Sequence, residues 1–294
     1  MASLLGTCAA PYIRGGCPRA LCESILGGLT LRAHARRGPL RIECGVGQNR
    51  LLTGLSARSR NNVLQSCESK ELPFADVIYQ PGDRMGHVYF PTEGFVSVVA
   101  VLDDGGELEV GLVGSEGMIG ASLVLGVDVC ADLAIVQREG TALRMTAGDF
   151  RRHCEQDKVL RGEIQRYLYV CVTQLAQVAA CTGYHLVQAR LARWLLMSRD
   201  RARSNEFHLT QEFLAYMLGV RRVGVTQAAA ALQAKGLIRY SRGEITILNS
   251  AGLKEASCAC YGRGNRIYAA TMNQDVKRPR ALRSRKNSVQ SARI

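Results

Sequence analysis

No uninterrupted apolar run in the chain approaches the ~20 residues that a membrane-spanning helix requires, so no membrane partner is expected. Charge does not dominate either. With 47% hydrophobic and 21% charged residues a full core can be buried, which excludes a mostly disordered, collagen-like or low-complexity protein. Eleven cysteines in 294 residues are too few for a disulfide-dense mini-scaffold and show no regular spacing, the pattern of reduced thiols in a cytoplasmic protein. Histidine is scarce: of five in the chain, only His87 lies between residues 48 and 150. A metal-dependent barrel enzyme needs two or three histidines and a carboxylate converging on one point, and a lone histidine is more often structural. The length suffices for two small domains.

What the chain does have is positive charge, unevenly placed. Residues 1–47 carry six arginines against Glu23 and Glu43, or +4. Residues 48–150 carry seven basic and fourteen acidic side chains, or −7, and residues 151–260 sixteen and eight, or +8. Residues 261–294 add nine basic side chains against Asp275, another +8. The formal charge of +13 thus comes almost wholly from the two ends, and the body is an acidic module followed by a basic one.

The first 47 residues show no period of 2 or 3.6 and are broken by Pro11, Pro18 and Pro39, so they are expected to be disordered. Arg14, Arg19 and Glu23 interrupt every candidate for the apolar core of a secretory signal. An organellar transit peptide fits in composition only, and a start codon further along, near Val46, accounts better for this leader. The tail, 261–294, is expected to be basic and disordered.

In the acidic module, Leu51, Leu52, Leu55, Val63 and Leu64 suggest a short leading helix. Short apolar runs follow, ADVIYQPGD, HVYFPTEG, FVSVVAVLDDGG, ELEVGLVGSEG, LAIVQREG and ALRMTAGD, separated by turns such as Pro81-Gly82-Asp83 and Asp104-Gly105-Gly106. This is the punctuation of an antiparallel barrel or jelly roll. Phe95, Val96, Val98, Val99 and Val101 are too continuous for an exposed strand, so both faces should be covered. From Leu160 onward, Ile164, Leu168, Cys171, Leu175, Val178 and Thr182 follow a 3.5-residue repeat, the seam of a two-stranded coiled coil. A long helix lying on its own barrel is the alternative. Cys171 on that seam is expected as a small core residue. After Gly183, ARLARWLLMSRD begins a second amphipathic helix.

The most informative segment is LTQEFLAYMLGVRRVGVTQAAAALQAKGLIRYSRGEITIL. Thr210 is placed to cap a short helix, and Ala215, Gly219 and Val225 stand at the 5, 9 and 15 positions of a helix-turn-helix. A second helix runs to Lys235, Gly236 stops it, and a hairpin around Ser241-Arg242-Gly243 follows. That makes a winged helix-turn-helix. The start of its second helix enters the major groove, which places Arg221, Arg222, Val223, Gly224, Thr226 and Gln227 against base edges. Thr210, Gln211 and Arg242 are better placed for phosphates. No residue is expected to be catalytic.

In this order, the barrel, the seamed helix and the winged helix-turn-helix resemble the Crp/Fnr family of bacterial transcription regulators over residues 48 to about 260. The resemblance rests on Pro81-Gly82-Asp83, on the Gly117-Met118-Ile119-Gly120 stretch where the family has its cyclic-nucleotide phosphate cassette, continued here by Ala121 and Ser122, and on the DNA-binding segment. It implies an α+β chain: an antiparallel jelly-roll sensor barrel (48–154), a dimerisation helix (155–183) and a winged helix-turn-helix (184–260). It also implies a cytoplasmic homodimer on a palindromic site in double-stranded DNA, RNA polymerase as a partner, and an unidentified small-molecule effector at the barrel.

The departures from the family narrow this. Nucleotide-binding members follow the cassette's Gly with a Glu for the ribose and, about ten residues on, an Arg for the phosphate. Here Ala121 follows Gly120, and GVDVCADLA offers Asp128 and Asp132 but no Arg. A buried phosphate facing carboxylates without a cation is strongly disfavoured, so binding of cyclic AMP or cyclic GMP in the family manner is not expected. No cofactor is expected. Iron–sulfur members use closely spaced N-terminal cysteines, whereas Cys8, Cys17 and Cys22 are widely spaced, and neither a cluster nor haem is anticipated. Cys258 and Cys260 could form a metal or redox pair only with partners from elsewhere, and are taken as structural or incidental. Where TGTGA-reading members carry Arg-Glu-x-x-x-Arg, this chain has Arg222, Val223 and Gln227, so a different half-site is expected. Two rivals stay open: a barrel enzyme, and a non-specific nucleic-acid binder driven by the basic tails.

Overall fold

The computed structural model describes residues 48–273. The expectations for the leader, including Cys8, Cys17 and Cys22, and for the last part of the tail lie outside the described residues. The leading apolar stretch forms two short helices, α1 (Arg50–Thr53) and α2 (Ala57–Gln65), not one. Asn49 fixes the first. Its side-chain oxygen accepts from the Leu51 N–H at 3.0 Å, and its amide donates to the carbonyls of Pro91 at 2.9 Å and Gly117 at 2.8 Å.

Seven strands follow: β1 (Glu68–Leu72), β2 (Val77–Tyr79), β3 (His87–Pro91), β4 (Phe95–Val101), β5 (Glu107–Val113), β6 (Leu133–Arg138) and β7 (Gly140–Thr146). They form two antiparallel sheets, ordered β1-β7-β3 and β2-β6-β4-β5. Six of the seven coincide with the apolar runs of the sequence. The seventh, β1, reads ESKEL and carries one buried apolar side chain, Leu72. Its pairing with β7 places Glu68 beside Arg144, with an ion pair at 2.6 Å. At the β3–β4 corner, Gly94 has φ +71, and a Cβ there would meet the backbone of Arg138 and Glu139.

The continuous apolar character of β4 and β6 has a direct cause. On β6, Ala134 and Val136 point into the barrel core, while Leu133 and Ile135 point out and join a second core built by the C-terminal residues. On β4, Val96 goes inward and Val99 outward in the same way. One sheet is therefore shared by two cores.

After α3 (Ala147–Gln156), capped by Thr146, Asp157 caps the long α4 (Lys158–Tyr184). The apolar seam expected on α4 divides. Ile164 is buried in the barrel core, Leu168 and Cys171 pack against it, and Val178 and Thr182 face the following helix, α5 (Val187–Ala202). The row left open to solvent is shifted by one position: Tyr169, Val172, Ala176 and Ala179, flanked by Leu175. A 3.5-residue repeat registers burial without distinguishing the chain's own barrel from a second chain. Cys171 is a packing residue, its thiol pushed up to about 11 by burial.

The C-terminal domain comprises α5, β8 (Glu206–His208), α6 (Gln211–Leu218), α7 (Arg222–Ala234), β9 (Ile238–Ser241), β10 (Glu244–Ile247) and α8 (Ser250–Ala256). Its sheet is ordered β8-β10-β9. Then comes a correction: residues expected as the start of a disordered tail form α9 (Cys260–Met272). This helix returns along α4. Near its start the Cys260 carbonyl accepts from Gln177 at 3.0 Å, and further on the Tyr268 hydroxyl donates to the Glu116 carbonyl at 2.7 Å. Residue 261 is thus inside the folded body, and the lone apolar faces of Tyr268 and Met272 were hidden in the sequence by the surrounding arginines and glycines.

Candidate nucleic-acid interface

Local backbone chemistry builds the helix-turn-helix. The Thr210 hydroxyl accepts from the Phe213 N–H at 3.1 Å and starts α6. Gly219 ends it in the left-handed region, φ +59 and ψ +47, a conformation that costs a side chain dearly. Ala215 and Val225 are buried where the two helices meet, as their spacing predicts.

Helix α7 begins at Arg222 with Arg221 as its N-cap, and no side chain caps it. Its first N–H groups and the positive end of its dipole are therefore left for an outside acceptor. Arg221, Arg222, Val223, Thr226 and Gln227 are all exposed. Gly224 is set apart from them, half-buried toward Val187 of α5, so it serves as a spacer at the helix–helix contact. The Thr226 hydroxyl donates to the Gln211 Oε1 at 2.6 Å and to the Arg222 carbonyl at 3.1 Å. That bond holds Gln211 across from the recognition helix with its amide N–H groups available, and leaves the methyl as the part of Thr226 that a base can meet.

The wing turns back on two residues in the left-handed region, Arg242 at φ +51 and Gly243 at φ +85, joining the paired Ser241 and Glu244. This is the backbone of a tight hairpin whose twist matches its strands. Arg242 stands exposed at its tip. Between wing and recognition helix lies a cleft of about 410 Å³ lined by His208, Thr210, Gln211, Arg222, Tyr240 and Arg242 among others. The structure thus gathers Thr210, Gln211, the wing arginine Arg242 and the recognition arginine Arg222 around one opening. His208 was missed because β8 is only three residues long and its alternation too brief to register, and Tyr240 was legible as part of a wing strand but not as a lining residue of the cleft. Tyr240 donates to the Leu209 carbonyl at 2.6 Å, and burial pushes its hydroxyl up to about 12.

In the barrel, the cassette residues Met118, Ile119 and Ala121 are buried, and Gly120, at φ +87, leads into a short 3-10 helix, Ala121–Leu125. Tyr89 and Ile119 exchange backbone hydrogen bonds at 3.1 and 2.8 Å, which occupies the Ile119 N–H. A Cβ on Gly117 would overlap the Tyr167 ring of α4. Ser122 lies within 3.8 Å of the Met85 sulfur. Asp128 is held by Arg84 at 3.1 Å and Arg151 at 3.5 Å, while burial raises the carboxyl of Asp132. His87 is engaged through its backbone with the Tyr79 hydroxyl, at 2.7 and 3.1 Å.

Three contacts fasten the barrel to the C-terminal half. The indole N–H of Trp194 donates to Glu109 of β5 at 2.9 Å, and Ser97 donates to the other carboxylate oxygen at 2.8 Å. Arg201 of α5 pairs with Glu116 at 2.6 Å, both largely buried. Leu108 packs against the turn glycine, Gly219. Behind this interface, Cys258 and Cys260 find the partners that the sequence could not supply: Cys181 and His185.

Residues 69–157 match the cyclic nucleotide-binding domain family, and residues 189–256 match the Crp-like helix-turn-helix domain. Over 209 residues the chain is 25% identical to the CRP-like protein Clp of Xanthomonas campestris pv. campestris, covering 66% of this chain and 89% of that protein. Among solved structures, the c-di-GMP responsive global regulator CLP of Xanthomonas campestris superposes with a TM-score of 0.55 at 19% identity, over 65% of this chain and 99% of that one. FixK2 of Bradyrhizobium japonicum superposes with a TM-score of 0.57 at 15% identity, over 66% and 98%. The two structures share the fold.

Proposed function

Because the chain belongs to the Crp/Fnr family of transcription regulators, we propose that it acts as a cytoplasmic homodimer that binds a palindromic DNA site in a sequence-specific way, with a barrel that does not take a cyclic nucleotide in the family manner. The observation that carries the reading is the uncapped start of α7, where Arg221, Arg222 and Val223 are exposed and Arg222 shares a cleft with the wing arginine Arg242. Arg222 is the candidate for a bidentate contact to guanine, Gln227 for adenine, and Val223 and Thr226 for thymine methyls. Thr210, Gln211 and Arg242 take the phosphates.

Dimerisation is supported by the exposed apolar row of α4, Tyr169, Val172, Ala176 and Ala179 with Leu175, which lies on the face away from both cores. Paired across a two-fold axis, two such helices would set two recognition helices against successive major grooves. RNA polymerase is the further partner a regulator of this kind requires. The altered cassette, with Ala121 in place of a ribose-binding acid and no Arg in the GVDVCADLA stretch, supports the loss of the usual ligand, although the pairing of Asp128 with Arg84 and Arg151 removes the carboxylate repulsion expected there. A relative described as c-di-GMP responsive makes cyclic di-GMP the first effector to titrate.

Sequence selection on random DNA with the purified full chain tests the reading. A palindromic consensus whose half-site differs from TGTGA is expected. Binding with a steep salt dependence and no consensus would replace this reading with a non-specific binder driven by the tails.

A further inference from the structure

Four side chains from two separate segments converge at the junction between α4, α5 and α9. Cys181 lies in the last turn of α4, and His185, its C-cap, follows four residues later, its N–H donating to the Cys181 carbonyl at 3.0 Å. Cys258 and Cys260 flank the start of α9. The Sγ of Cys181 is 3.6 Å from that of Cys258, and the Sγ of Cys260 is 3.6 Å from Nδ1 of His185. All four ligand atoms lie within 4.8 Å of one another.

These distances have a chemical meaning. Zinc–sulfur and zinc–nitrogen bonds of ~2.3 and ~2.05 Å at tetrahedral angles imply edges of about 3.8 Å between sulfurs and about 3.6 Å from sulfur to nitrogen. The two contacts above match the edges of such a tetrahedron, and the remaining edges, all within 4.8 Å, have to contract by at most about 1 Å. Three sulfurs and one imidazole are also the donor set of structural zinc sites. Cys181 and Cys258 are buried while His185 and Cys260 are half-open, which gives an ion a way in.

The surroundings supply an independent argument. A divalent ion with three thiolates and one neutral imidazole carries one net negative charge, the thiol protons having left to water. Arg190 and Arg193 both lie close enough to act electrostatically on these sulfurs. Arg190 is 4% exposed, donates to the Leu218 carbonyl and to Thr182, and has no carboxylate partner among the described residues. The Nε atoms of both arginines are buried without an acceptor. A buried guanidinium without a counter-charge is costly, and an anionic metal centre would provide one.

We propose that Cys181, His185, Cys258 and Cys260 form a tetrahedral site for one zinc ion per chain. The site spans the only break between α4 and α5, at His185 and Leu186, and ties it to the first turn of α9. It would fix the angle at which the DNA-binding domain leaves the long helix, as a metal clip rather than a sensor in the barrel.

The test uses the full chain, purified under reducing conditions. One equivalent of zinc is expected by elemental analysis, and replacement by CoCl₂ should give the intense visible d–d bands and thiolate charge-transfer band of tetrahedral cobalt. The double variant Cys258→Ser, Cys260→Ser should lose the metal, whereas replacing Cys8, Cys17, Cys22 and Cys44 by Ser should not. Should the double variant fail to fold, His185→Cys decides: it keeps a tetrahedral site, and its cobalt charge-transfer band should strengthen. A chelator should also lower the Tm of the wild type by several degrees, reversibly on adding ZnCl₂. The proposal is overturned if the reduced chain takes up no metal from micromolar zinc, if the metal leaves with the four N-terminal cysteines, or if cobalt enters an octahedral environment.

Discussion

Trp194 of the DNA-binding half donates its indole N–H to the buried carboxylate of Glu109 on barrel strand β5, at 2.9 Å. Burial pushes Glu109 up to about 7, against the opposing pull of its hydrogen bonds from Ser97 and Trp194 and the fields of Arg193 and Arg201. Charge at this one oxygen pair therefore reports directly on the contact between barrel and DNA-binding domain.

The sign of the pH effect follows. Glu109 holds its proton more tightly in the folded chain than in the unfolded one, where it titrates near 4.5, so its contribution to stability falls as pH rises through this window and is lost above about 7. A shift of this size amounts to about 3 kcal/mol. Glu109→Gln keeps an acceptor for the Trp194 N–H, turns its NH2 toward the Ser97 hydroxyl as a donor, and removes the titration. Urea unfolding at pH 5 and pH 8 should show the variant more stable than wild type at the higher pH, with little difference at the lower. Equal pH slopes for the two proteins would contradict the assignment.

On the recognition surface, the two classes of arginine should separate. Arg222→Ala should cost ~1 to 3 kcal/mol at one guanine position and relax the preference there, leaving other positions unchanged. Arg242→Ala should weaken binding to every sequence alike and reduce the salt slope by about one. Fluorescence anisotropy on the selected operator and its single-base variants, across a salt series, distinguishes them.

Register on α4 can be tested by charge. Val172→Glu places a carboxylate in the exposed row and should give folded monomers by analytical ultracentrifugation. Ile164→Ala, inside the barrel core, should leave association intact and destabilise the fold by ~2 to 5 kcal/mol. Dimers that survive Val172→Glu would move the interface elsewhere.

Titration calorimetry with cyclic AMP and cyclic GMP should show no micromolar binding, because the cassette offers neither a ribose-binding acid nor an arginine at the family's phosphate position, and Arg84 and Arg151 are engaged with Asp128. Micromolar affinity for either would mean that a cation other than the family's arginine, such as Arg144 of β7, reaches the ligand.

The sequence disclosed structure wherever backbone constraint and burial coincide. Gly219 and Gly236 adopt positive φ at the two stops where a side chain would strain the turn, and Ala215 and Val225 sit at the crossing they imply. The strands of the barrel were legible because they alternate or run apolar between turn residues. The charged β1 was not, since its place is decided by pairing with β7 rather than by its own pattern. The seam of α4 was legible as a period but not as a direction, because barrel and partner helix select for the same apolar side chains. Of the candidate site, the residues of α7 and the wing tip lay within one contiguous segment. The Cys181, His185, Cys258 and Cys260 cluster did not, because α5 through α8 intervene and only the folded chain brings its two halves together.

The sheet shared by two cores has one more consequence. Leu133, Ile135 and Val99 are wetted whenever the C-terminal half swings away from the barrel, so opening that joint works against apolar surface tension at roughly 25 cal/mol for each Å² uncovered. Any movement of the recognition helix that opens this joint works against that cost. A ligand that favoured an opened arrangement would have to bind it more tightly than the seated one by at least the free energy of the exposed surface.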